Sequence, residues 1–131
     1  MTAIATALPE DVAAARDGLL AFVDKEVVPR HATHAALFDN PRLLFDESGR
    51  FSADLISVID EVRQASARAG FYSMCVPEAL GGGGLGHLAY YVAWEAMFRQ
   101  CGPHNWLMLY ALSHWAFGPS RLLEQLSPRA R

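Results

Sequence analysis

Cysteine is scarce in this sequence. Two occur in 131 residues, and Cys75 and Cys101 are too few and too isolated for a disulfide framework. Long apolar runs are missing as well: none approaches the ~18 residues of a membrane span, and the longest are interrupted by charge. Met1 to Pro9 has no basic stretch ahead of an apolar one, so no secretory signal is visible. An excess of positive charge is also lacking. Eleven Lys+Arg against 14 Asp+Glu give a formal charge of −3, which argues against a binder of nucleic-acid backbones. The expectation is a reduced, cytoplasmic protein with no nucleic-acid and no membrane partner. What is present is apolar. Hydrophobic residues make up 52% and charged ones 19%, which excludes disorder. A chain of this length favours one domain and can bury about two thirds of its unfolded surface.

The apolar residues recur at helical spacing. Pro9, Glu10 and Asp11 suit a first turn, and Val12, Ala15, Leu19, Phe22, Val23 and Val27 form one stripe of a long helix. Pro29 ends or kinks it, and His31 to Phe38 can continue beyond the kink. Turn chemistry follows at Asp39-Asn40-Pro41 and at Asp46 to Gly49. Ser52 reads as the N-cap of a second helix with Leu55, Ile56, Ile59, Val62, Ala65 and Ala69 as its buried stripe, and Gly70 as its left-handed C-cap. Phe71 to Val76 reads as a packed loop with helical turns. A third helix spans about Leu88 to Gln100, a fourth about His104 to Phe117, and a short last one Ser120 to Leu126. With no strand signal of weight and no internal repeat, the fold class is all-α: an orthogonal or up-down bundle of four to six helices.

Several chemistries are weak on inspection. Gly81, Gly83 and Gly86 satisfy the spacing of a dinucleotide fingerprint, but no strand precedes them. Trp106 and Leu107 stand where the ribose-binding acid belongs. A permissive loop between two helices is the better reading. His31, His34, His87, His104 and His114 show no convergent zinc spacing, and neither C-x-x-C nor H-E-x-x-H occurs, so no metal site is assigned. Cys75 lies among apolar neighbours that would raise its thiol pKa. Asp60 and Glu61 are adjacent and do not face each other on a helix. Glu95, between Trp94 and Ala96, is either a buried polar group or a face residue in water, and nothing in sequence pairs with it. No catalytic residue is assigned. The aromatic and methionine side chains crowd the second half, from Tyr90 to Phe117. That crowding implies an apolar ligand wall or a surface that buries against something further.

The string Gly70-Phe71-Tyr72-Ser73-Met74-Cys75-Val76-Pro77-Glu78-Ala79-Leu80-Gly81-Gly82-Gly83-Gly84-Leu85, with Glu95 ten residues on, resembles the acyl-CoA dehydrogenase family. The matching elements are a helix-ending glycine, then Pro-Glu-x-x-Gly-Gly-x-Gly, then a helix carrying glutamate. Glu26-Val27-Val28-Pro29, Gly49-Arg50-Phe51-Ser52 and the segment from Gly118-Pro119 onward agree, so the resemblance covers nearly the whole chain. It implies that residues 1–131 are an N-terminal helical domain, with the β-domain and C-terminal helical domain of the family lying beyond Arg131. In the family those two domains hold FAD, and the C-terminal one supplies the glutamate that removes the α-proton. The chain by itself is therefore expected to be inactive and to bind no cofactor.

The resemblance also implies that the helix matching His104 to Phe117 gives one wall of the acyl-chain tunnel. By position, Asn105, Met108, Leu109 and Leu112 would lie near the acyl tail of the acyl-CoA substrate. Further partners implied are the two missing domains, a second copy of the chain, and an electron-transfer flavoprotein. Two other readings stay open. One is a stand-alone helical module for a hydrophobic ligand or a partner chain; the other is the same domain in a related flavin oxidase or monooxygenase.

Overall fold

The computed structural model describes residues 7–113 and Gln125. The first helix, α1 (Glu10–Phe22), starts behind Pro9, whose carbonyl accepts the Ala13 amide at 3.0 Å. It buries Val12, Leu19 and Phe22, as the stripe predicts, with Ala15 half-buried. The long helix then changes register. Val23–Val27 is a π segment, and the Val28 amide donates to the Val23 carbonyl five residues back. The cause lies one residue further on: Pro29 has no N–H, so regular i→i+4 bonding would leave a carbonyl of this turn without a donor. The extra residue accommodates that loss, and the chain continues as α2 (Val28–Thr33) and α3 (Ala35–Phe38).

After a 3₁₀ turn, Pro41–Leu44, the segment doubles back through a single bridge between Phe45 and Phe51. The helix α4 (Ala53–Ala69) has the signals read from sequence. Ser52 Oγ accepts the Leu55 amide at 3.3 Å, and Gly70 closes it at φ +85°. Leu55, Val58, Ile59, Val62 and Ala65 are buried. Two members of the expected stripe differ. Ile56 is 47% exposed, and Ala69 is exposed too, because Ile56 lies to one side of the face that Leu55 and Ile59 turn inward and Ala69 is the last residue of the helix. Residues Phe71 to Val76 form the expected packed loop, with Met74 and Cys75 buried. A 3₁₀ turn, Glu78–Leu80, leads into the glycine run.

The helix α5 (Gly86–Cys101) packs along α1, burying Ala89, Tyr90, Ala93 and Met97. Its Gln100 amide nitrogen ties the pair, donating to Asp24 Oδ1 at 2.6 Å and to the Leu20 carbonyl at 3.2 Å. Gly102 (φ +68°) ends it. The fourth helix expected from about His104 is a correction: the described part is a 3₁₀ turn, Trp106–Tyr110, followed by a bend. After the chain reverses at Gly102, bonding runs i→i+3, as in Met108 to Asn105 at 3.3 Å and Ala111 to Met108 at 3.1 Å. The rest of that helix, from His114, and the last one, Ser120 to Leu126, lie outside the described residues apart from Gln125. The fold is all-α as expected. No helix among the described residues is long and apolar enough to cross a membrane.

Candidate functional site

The segment Asn105 to Leu112 is fixed from three sides. The 3₁₀ turn packs on α4, on α2 and on the π segment. The buried hydroxyl of Ser66 on α4 donates to the Ala111 carbonyl, and the Ser113 amide donates to the Tyr72 carbonyl at 2.7 Å. The Arg63 guanidinium lies over the Tyr110 ring at 5.0 Å, a cation–π contact. A buried serine hydroxyl on a carbonyl 45 residues away holds one segment against another without a regular helix.

The four residues of the proposed acyl wall share this segment but differ in exposure. Met108 (1%) and Leu112 (0%) are in the core, alongside Leu107 and Ala111. Asn105 and Leu109 are half-buried. Asn105 Oδ1 is itself buried with no hydrogen-bond partner among the described residues. An acceptor left in that state is costly unless something donates to it, such as water or a ligand. Two clefts, of about 500 and 530 Å³, are lined by other residues.

The glycine run is tightly packed. A Cβ on Gly82 would sit 2.2 Å from the Val76 carbonyl oxygen, and one on Gly83 2.7 Å from that of Met74. Its amides are used internally: Gly81 donates to Glu78, Gly82 to Pro77, Gly83 to Ser73, Gly84 to Val76 and Leu85 to Met74, at 2.8–3.1 Å. A phosphate cradle needs such amides pointing outward. This loop therefore does not fit a flavin or nicotinamide pyrophosphate and serves instead to bring Phe71–Val76 against the start of α5.

Glu95 stands in water, paired with Arg99 at 2.7 Å, which settles the two readings of it in favour of an exposed face. Burial pushes the Cys75 thiol up to about 11, and Cys101 is raised in the same way, so neither is a thiolate at neutral pH. His31 stacks on Phe38 at 4.4 Å between centroids, and burial lowers its pKa. No three His, Cys, Asp or Glu side chains converge among the described residues; His114 lies outside them. The outer side of α5 carries Leu88 (52% exposed), Tyr91 (62%) and Phe98 (45%) opposite its buried face. The crowding of aromatics thus resolves into a core share and an uncovered share.

Residues 9–120 match the family model described as acyl-CoA dehydrogenase, N-terminal domain. Comparison with curated proteins and with solved structures gave no match.

Proposed function

Because the chain belongs to the acyl-CoA dehydrogenase family, through its N-terminal domain, we propose that it serves as that domain of an FAD-dependent enzyme that dehydrogenates an acyl-CoA thioester at its α,β carbons. Its own part is to form one wall of the acyl pocket. The observation that carries this is the anchored segment Asn105 to Leu112, with a rigid buried side and a half-exposed edge. Asn105 and Leu109 sit on that edge and would meet the acyl tail. Met108 and Leu112 fix the wall from behind. FAD supplies the hydride acceptor in such enzymes. The family resemblance assigns the cofactor to a β-domain and a C-terminal helical domain acting with this one, and the glycine loop here, with its amides used internally, is in keeping with that. The catalytic base belongs there too, as does transfer to an electron-transfer flavoprotein.

The uncovered Leu88, Tyr91 and Phe98 support burial of α5 against those domains or a second copy. The wall is tested by Leu109→Trp in the product of the intact gene. Added bulk at the edge should shorten the preferred acyl chain, cutting turnover of the longest accepted substrate by about tenfold or more relative to shorter ones. An unchanged chain-length profile rejects Leu109 as a wall residue.

A further inference from the structure

Between α1, the π segment and the second half of α4 lies an open cleft of about 500 Å³, well apart in sequence from Asn105 to Leu112. Its floor is apolar, built around Phe22 and Phe71, whose ring centroids are 5.6 Å apart. Gly18 opens that floor: a Cβ there would sit 3.2 Å from the Phe71 ring. Glycine is a poor residue for a helix interior, so its place in α1 answers a need for space.

The rim is charged. Lys25, Arg30 and Arg68 line the cleft against the single carboxylate of Glu26. Arg30 is already engaged, donating to Glu26 Oε2 at 2.8 Å and its backbone carbonyl at 2.7 Å, and lying 3.4 Å from Glu61. Lys25 and Arg68 make no ion pair within 4.0 Å among the described residues. Both are nonetheless near enough to Glu26 to help hold its carboxyl below the usual range, behind the larger effect of Arg30. In a chain of net charge −3 this is a local surplus of positive charge beside an apolar floor. The π register also places Lys25 and Glu26, and single-turn π segments are frequent at functional sites.

We propose that this cleft binds an anionic amphiphile, with a carboxylate head between Lys25 and Arg68 and a short apolar tail on Phe22 and Phe71. The volume falls in the ~300–1,000 Å³ range of small-molecule sites, and charge-assisted pairing to a carboxylate is the strong kind of hydrogen bond. The inference goes beyond the acyl-wall reading and does not depend on it.

Decanoate, decanol and acetate, each titrated calorimetrically into the protein as its gene produces it, separate the contributions. Decanoate should bind at least about tenfold tighter than decanol, acetate should give no measurable heat, and added salt should weaken decanoate alone. The Lys25→Ala/Arg68→Ala double variant should lose about tenfold or more of the decanoate affinity and none of the decanol affinity. Leu109→Trp should leave decanoate binding unchanged, which separates this cleft from the acyl wall. No decanoate binding, equal binding of decanoate and decanol, or undiminished binding by the double variant each overturns the proposal. If the double variant does not fold, the salt dependence and the decanol comparison decide.

Discussion

Gly82→Val should destabilise the protein by about 3 kcal/mol, the upper range for overpacking. The new Cβ would fall 2.2 Å from the Val76 carbonyl oxygen and 2.4 Å from its Cβ. That carbonyl cannot turn aside freely, because it accepts the Gly84 amide at 2.8 Å. The whole connection from Phe71 to α5 must shift, and Met74 and Cys75 leave the core with it. Gly49→Ala is the control. Gly49 has φ +77° but nothing within 4 Å of a Cβ, so only backbone strain of about 1 kcal/mol is expected there. Denaturant midpoints of the two variants measure the difference. Equal midpoints would mean that the glycine run is a flexible tether and not a packed junction.

Truncation on the buried side of the proposed acyl wall is the other large effect. Met108→Ala and Leu112→Ala should each cost about 3 kcal/mol, in the ~2–5 kcal/mol range for large side chains cut to alanine in a core. Both side chains are at most 1% exposed. Leu109→Ala, on the half-exposed edge, should cost about 1 kcal/mol or less. Denaturant unfolding of the three variants checks the division. A Leu109 loss as large as that of Met108 would place Leu109 in the core and leave the wall without an apolar edge.

The legibility of the sequence divides along the same lines as these effects. The helix α4 was readable end to end because its signals are local: a serine whose oxygen caps the Leu55 amide and a glycine free to adopt φ +85°. The π segment was not. Val23 and Val27 keep a four-residue spacing whether the turn is α or π, so the stripe looks the same, and the consequence of Pro29 appears only upstream of it. The 3₁₀ turn at Trp106–Tyr110 was missed because an unbroken apolar run looks the same at i→i+3 and i→i+4 bonding over so few residues.

For the proposed site, family resemblance pointed to the segment Asn105 to Leu112 but could not sort its faces. Leu107, Met108, Ala111 and Leu112 turn inward, and that pattern depends on Ser66 and on the neighbouring helices. The cleft at Lys25 and Arg68 was illegible because its charges come from segments over forty positions apart in sequence.

The intact mass of the protein made from its native gene tests the central claim most directly. A product several times larger than 14.4 kDa, with this sequence at its N-terminal end, is the result predicted for the helical domain of an acyl-CoA dehydrogenase. A native product of 14.4 kDa would contradict it, and would make the apolar face of α5 the surface of a stand-alone module for a partner chain.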